Sequence, residues 1–176
     1  EVILYLFSIE LDKELNGNHS ITERSIQNVL CKISTLLQGS YSIIMIIAGY
    51  GIIFFKDKYG IRPLLHGKRD NNHLISSESI SLDDLDYDFQ DVNAGEYGII
   101  TLDGHLHKAY YCENYSLTPC IFEWIYISRI ESVIHNIPVI HARLEMGKLL
   151  SKKIRETVNI DDIDFIDQSS GSDTGF

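Results

Sequence analysis

The side chains in this sequence that could do chemistry are few and scattered. Cys31, Cys112 and Cys120 give an odd cysteine count without disulfide-like spacing. A thiolate can be a nucleophile or a metal ligand, but a single one cannot hold a cluster. Cys31 falls on the apolar side of a helical pattern and is read as core. His105 and His107 are two apart, so on a strand they share a face and could grip a metal. No third ligand follows at a suitable spacing, and an exposed hairpin is the better reading. Ser77-Glu78-Ser79 lacks the glycines of a nucleophile elbow, which leaves a structural turn. Asp83, Asp84, Asp86, Asp88 and Asp91 offer oxygens to a divalent cation, although acidic runs of this kind are ordinarily solvated loops.

The elements that must position these groups change period along the chain. Glu1–Leu15 reads as a helix that is apolar almost all round and therefore sandwiched, broken at Asn16-Gly17. Ser20-Ile21-Thr22-Glu23 is a capping-box pattern, with Ser20 and Glu23 satisfying early backbone N–H groups of a second helix that Gly39 ends. Strands are expected at Tyr41–Ile47, Gly51–Phe55, Leu64–His66, His73–Ser76, Asp88–Val92, Tyr97–Leu102 and His105–Tyr111, with one helical turn at Ser81–Asp86. Asp103-Gly104 is a hairpin signal. Lys56-Asp57-Lys58-Tyr59-Gly60 is a charged turn in which Gly60 takes positive φ, and Pro63 marks an edge or a strand start. Glu113–Pro119 is polar and turn-like, a domain boundary by composition. Beyond it, Ile121–Ser128 is expected to be a strand with Phe122, Trp124 and Tyr126 on one face. Pro138 introduces a helix over about 139–158 whose stripe is Ala142, Met146, Leu149, Leu150 and Ile154, and Asp164–Ile166 begins a further strand. Helices followed by many antiparallel strands predict an α+β domain built in layers.

Composition narrows the classes. The 176 residues are 44% hydrophobic, which suits a packed core, and the formal net charge of −10 argues against a nucleic-acid surface. The apolar start, Val2–Ile9, is too short to span a membrane and has no basic residue before it, and the cysteine usage suits a reducing cytoplasm. The first residue is Glu1 rather than Met, so the chain is expected to start inside a longer protein.

Five ordered blocks carry a resemblance: KDKYGIRPLLHGKRD, HLISSESISLD, NAGEYGIITLDGHLHK, PCIFEWIYISR and IPVIHARLEMGKLL. Together they resemble the amidophosphoribosyltransferases, also called glutamine phosphoribosylpyrophosphate amidotransferases, over nearly the whole chain. The resemblance implies an α+β fold. Residues 1–113 would be the later part of a glutaminase domain, a partial N-terminal-nucleophile αββα sandwich of the class II glutamine amidotransferases. Residues 114–176 would be the interdomain segment and the start of an α/β phosphoribosyltransferase domain. In that family an N-terminal cysteine releases ammonia from glutamine, and the ammonia passes through an internal channel to phosphoribosyl pyrophosphate held with Mg²⁺. The product is 5-phosphoribosylamine, the first committed intermediate of de novo purine synthesis. The complete enzyme is a homo-oligomer inhibited by purine nucleotides.

On this resemblance the nucleophile and the glutamine-gripping segments would precede Glu1, and the paired-acid loop for phosphoribosyl pyrophosphate would follow residue 176. No catalytic residue is assigned, no cofactor is expected in these residues, and a polypeptide of this extent is expected to be inactive. Phe122 and Tyr126 match aromatic positions that help line the ammonia channel. Packing between domains is the competing reading. Cys120 matches an iron–sulfur ligand position of some members, but its companions would lie outside the chain, so a structural cysteine is preferred and no cluster is expected. Arg62 and Arg129 match family positions whose role the motif leaves open. Ile127-Ser128-Arg129-Ile130-Glu131-Ser132 stands where the family has Phe-Ala-Arg-Pro-Asp-Ser, and Asp167–Gly175 replaces a Val-Pro-Asp-Thr stretch. Two alternatives are a non-catalytic interaction or regulatory protein retaining the partial fold, and a fragment of another class II glutamine amidotransferase. The GIRPL and ARLEMG blocks favour the purine enzyme over the latter.

Overall fold

A computed structural model describes residues 1–17 and 20–159, arranged as two compact units, Glu1–Cys120 and a second starting at Ile121. The first unit opens with helices α1 (Val2–Leu15) and α2 (Glu23–Leu36). Strands β1 (Ser42–Ile47), β2 (Gly51–Lys56), β6 (Glu96–Thr101) and β7 (Leu106–Tyr110) form an antiparallel sheet in the order β1-β2-β6-β7. A second antiparallel sheet has the order β4-β3-β5, from β3 (Leu65–Arg69), β4 (Asn72–Ser76) and β5 (Asp88–Asp91); the short helix α3 (Ile80–Asp83) lies between β4 and β5 in sequence.

Alternation along the four-stranded sheet makes the layers. Met45, Ile53, Phe55, Tyr97 and Ile99 point to one face and pack with Phe7, Ile26, Val29, Leu30 and Ile33 from the helices. Phe54 and Ile100 point to the other face and join Leu64 and Val92 from around the second sheet. The order is helices, sheet, sheet, and the α+β expectation holds.

Several local expectations are corrected. The first helix is not sandwiched: Ile3, Leu6, Phe7 and Leu11 pack inward while Val2, Leu4 and Tyr5 are exposed. The capping box sits two residues later than expected. Thr22 is the N-cap, its hydroxyl accepting from Ser25 N–H at 3.1 Å while Ser25 Oγ accepts from Thr22 N–H at 2.9 Å. A serine can replace glutamate in that role because its hydroxyl also accepts. Cys31 is exposed, not core, since the buried positions of α2 are Ser25, Ile26, Val29, Leu30 and Ile33. The charged turn after β2 is partly interior: Lys56 is 0% exposed and Asp57 is buried. Gly60 does take positive φ, and β3 starts just after Pro63.

The second unit holds a π-helical turn over Glu123–Ile127, the two-residue strands β8 (Val133–Ile134) and β9 (Ile137–Pro138), and α4 (Val139–Thr157). The expected strand at Ile121–Ser128 is therefore a helical turn. On α4, Ala142 and Met146 pack against Trp124, Ile134 and Val139, but Leu149 and Leu150 are exposed, so the expected stripe is buried only in its first half. The expected strand at Asp164–Ile166 and the divergent Asp167–Gly175 stretch lie outside the described residues. Among the described residues, no helix is long and apolar enough to cross a membrane.

Candidate functional site

The segment singled out by sequence for its aromatic side chains is built by three interactions within the second unit. The N–H groups of Trp124 and Ile125 both donate to Ile121 C=O, at 3.1 and 3.2 Å, which starts the turn. Ser128 N–H donates to Glu123 C=O at 3.0 Å, the five-residue spacing that makes it a π-turn. Arg143 from α4 then latches its far end, donating from Nε to Trp124 C=O and from Nη2 to Ser128 C=O, each at 2.7 Å. Carbonyls at a helix C-terminus lack intrahelical donors, and a guanidinium supplies two with a complementary charge.

This winding sorts the side chains differently from a strand. Trp124 and Glu123 turn inward. Trp124 joins the Ile134–Val139 core, and Glu123 Oε2 accepts from Ser128 Oγ at 3.1 Å. Phe122 and Tyr126 are exposed, by 59% and 71%. Four residues apart on a helical turn, they still fall to the same side, with Trp124 on the opposite one. The structure thus keeps Phe122 and Tyr126 together and separates Trp124 from them. An exposed pair of aromatic rings can form an apolar wall; it offers no proton transfer and no nucleophile.

The other candidates are not brought together. Cys120 is half-buried, and its N–H donates to Ile61 C=O at 3.0 Å. It continues a run in which Ser116 and Thr118 N–H donate to Lys58 and Tyr59 C=O at 3.0 and 2.8 Å, a strand-like lacing that gives the position a structural role. His107 Nδ1 lies 3.1 Å from Glu23 Oε2 on α2, and its Nε2 is 3.5 Å from Tyr97 Oη. His105 lies in the β6–β7 turn, where its N–H and C=O bond Asp103 and Thr101. Asp83, Asp84, Asp86 and Asp88 are exposed. Glu78 N–H donates to Ser76 Oγ at 3.1 Å, and Ser79 is buried, as suits a turn. Arg129 Nε lies 3.5 Å from Glu131 with both side chains exposed, and Arg62 C=O accepts from Ser42 Oγ at 3.2 Å. Among the described residues, no three His, Cys, Asp or Glu side chains converge as a metal site.

Two features escaped the sequence reading. Arg143 is the latch of the π-turn, and only its place among the first helical turns of α4 hinted at a role. The second is a histidine pair in the three-stranded sheet, His66 buried and His73 half-buried. His66 Nε2 lies 2.9 Å from His73 Nδ1, and the His66 ring stacks on Phe54 with centroids 5.6 Å apart. Burial, then the nearby charges of Lys108, His73 and Lys68, hold the His66 pKa down at about 4.

No family model matches the chain. Curated relatives do. The chain is 37% identical over 173 residues to the amidophosphoribosyltransferase of Escherichia coli K12, covering 94% of this chain and 34% of that protein. It is 40% identical over 136 residues to the amidophosphoribosyltransferase of Pasteurella multocida, covering 74% of this chain and 27% of that one. Two solved structures are similar in fold. One is the glutamine phosphoribosylpyrophosphate amidotransferase of Bacillus subtilis complexed with ADP and GMP (TM-score 0.63, 25% identity, 84% of this chain and 36% of that one). The other is the allosteric regulatory enzyme of purine biosynthesis (TM-score 0.68, 27% identity, 85% of this chain and 31% of that one). The chain spans about a third of the length of these proteins.

Proposed function

We propose that this chain, a relative of the amidophosphoribosyltransferases, is a framework segment of an enzyme that makes 5-phosphoribosylamine from glutamine and phosphoribosyl pyrophosphate, the first committed step of de novo purine synthesis. The observation that carries the reading is similarity over 94% of the chain to 34% of a named relative. In this reading residues 1–113 are the later part of a class II glutaminase domain, whose complete form is an αββα sandwich. Residues 114–176 lead into a phosphoribosyltransferase domain. The helix–sheet–sheet layering of the first unit supports the former assignment.

Catalysis by this route needs a nucleophile that cleaves the amide, a site for phosphoribosyl pyrophosphate with Mg²⁺, and a dry path for ammonia between them. The residues described here contribute to the path. Phe122 and Tyr126, turned outward by the π-turn, supply apolar surface that neither protonates ammonia nor admits water readily. Glu123, Trp124 and Arg143 hold the turn that presents them. A polypeptide of these 176 residues alone is expected to hydrolyse no glutamine and to aminate no sugar phosphate.

The test uses a full-length protein carrying this segment. Phe122→Ala is expected to uncouple the reaction, so that glutamine is hydrolysed in excess of phosphoribosylamine formed while synthesis from added ammonium is unchanged. Full coupling in that variant would remove the channel role. Glutaminase or phosphoribosylamine synthesis by the purified 176-residue polypeptide would overturn the framework reading itself.

A further inference from the structure

We propose that Cys31 and Cys112 are a reactive dithiol that closes to a disulfide on encountering a low-molecular-weight disulfide, stapling α2 to the end of β7. Both thiols line one groove of about 820 Å³ on the first unit. The registration of helix against strand is fixed by Gln27, whose Nε2 donates to Tyr110 C=O at 2.8 Å. One turn further along α2, about 6 Å on, comes Cys31. Two residues further along the strand direction, about 7 Å on, comes Cys112. Ser34 and Glu113 line the same groove, and Cys31 is near enough to Cys112 to act on it electrostatically.

Their environments give them different parts. Cys31 is exposed and meets the reagent first. Cys112 is half-buried, packs against the core that α2 covers, and lies over Gly95, where a Cβ would stand 2.5 Å from its Sγ. Burial, then the neighbouring Cys31, raises its pKa, which keeps it protonated and slower to attack an external reagent. The chemistry balances with oxidised glutathione as the oxidant. The Cys31 thiolate attacks one sulfur of the reagent, whose S–S bond breaks and releases one glutathione thiolate. Cys112 loses its proton to solvent, and its sulfur attacks the sulfur of Cys31. The internal S–S bond forms as the second glutathione leaves. Two protein thiols are oxidised, and one glutathione disulfide is reduced to two thiols.

Intact-mass measurement of the whole chain after incubation with oxidised glutathione and acid quenching tests this. The expected product is about 2 Da lighter than the reduced protein, with a Cys31–Cys112 peptide on digestion. Cys112→Ser should stop at one glutathione on Cys31, and Cys120→Ser should still form the bridge. Stable glutathionylation of both Cys31 and Cys112 in the unsubstituted protein, an internal bridge to Cys120, or no reaction at either thiol would overturn the proposal. The outcome is independent of the enzymatic reading, because no step of it uses glutamine or phosphoribosyl pyrophosphate.

Discussion

Gly98→Ala tests how the two sheets of the first unit fit together. Gly98 on β6 stands directly across from Phe54 on β2, and a Cβ at that position would lie 2.1, 2.5 and 2.7 Å from the Phe54 ring atoms Cζ, Cε1 and Cε2. The ring has little room to withdraw, since Phe54 is fully buried and its other neighbour is the parallel ring of His66, centroids 5.6 Å apart. Displacing an enclosed ring costs about 1–3 kcal/mol in off-rotamer strain and shifted neighbours. Alanine lowers chain entropy relative to glycine and returns roughly 0.5–1 kcal/mol, so the net loss spans about 0–2.5 kcal/mol and centres near 1 kcal/mol. Phe54→Leu on its own removes packing at a comparable cost of about 1–2 kcal/mol, below that of full truncation to alanine. It also removes the atoms that the new methyl group on β6 would strike. The double variant should therefore be at least about 1 kcal/mol more stable than the sum of the single losses predicts. Urea denaturation followed by circular dichroism, at concentrations where light scattering is flat, measures all four corners. A cycle that closes additively would refute the reasoning.

Three further perturbations address other parts of the molecule. His66 has an ordinary pKa of 6.5 and a folded value of about 4, so the unfolded chain binds the extra proton first. Its contribution is fully present above pH 6.5, is lost as pH falls from 6.5 to about 4, and reaches about 3 kcal/mol in all; His66→Gln should flatten that part of the urea-midpoint profile relative to the parent. Ile46, 77% exposed on the edge strand β1, stands in a run, Ser42–Ile47, without a charge or a proline. Ile46→Lys should lower light scattering at equal concentration while changing stability by less than about 0.5 kcal/mol, and increased scattering would count against an adhesive edge. Arg143→Ala removes both donors to the π-turn carbonyls and should cost the second unit about 1–3 kcal/mol. Trp124, the sole tryptophan, reports the loosening as red-shifted fluorescence; an unshifted spectrum would mean that Arg143 is no latch.

The parts legible in the sequence are those where one local signal outweighs its competitors. The β-branched run Ser42–Ile47, the apolar run that opens at Gly51, the Asp103-Gly104 turn and the spacing of Ile26, Val29, Leu30 and Ile33 each reappear as the expected element. The failures have physical causes. Phe122-Glu123-Trp124-Ile125-Tyr126 carries aromatic and β-branched residues that favour a strand in isolation. Arg143, on another helix and 19 residues beyond Trp124, supplies the carbonyl partners that make a π-turn stable there. Cys31 lies next to Leu30 in sequence, but a shift of one residue rotates a side chain by about 100° round a helix, enough to take it from core to solvent. At the candidate site, the shared side of Phe122 and Tyr126 did not depend on which element formed. A strand and a helical turn both bring those positions to one side, whereas Trp124 changes sides between the two.

The block KDKYGIRPL is a structural crossroads of the first unit, and its geometry explains why the stretch is demanding. Asp57 is buried and its carboxylate accepts the N–H of Tyr59 at 2.9 Å and of Tyr41 at 3.3 Å, while its backbone C=O accepts from Gly60 at 3.1 Å and Gly95 at 3.0 Å. Lys56 donates from Nζ to Val92 C=O at 3.2 Å, and its own C=O accepts the Tyr111 hydroxyl. At Gly60 positive φ combines with a Cβ position only 3.1 Å from both Ala94 and Leu117, so a side chain there is opposed by backbone and packing alike. Residues 56–61 thus tie the strand entering β1, the start of β6, the end of β7 and the laced segment that ends at Cys120. Removing the Asp57 carboxylate strands the N–H groups of Tyr59 and Tyr41, and removing the Lys56 ammonium takes a donor from Val92 C=O, each stranded group costing about 1–3 kcal/mol.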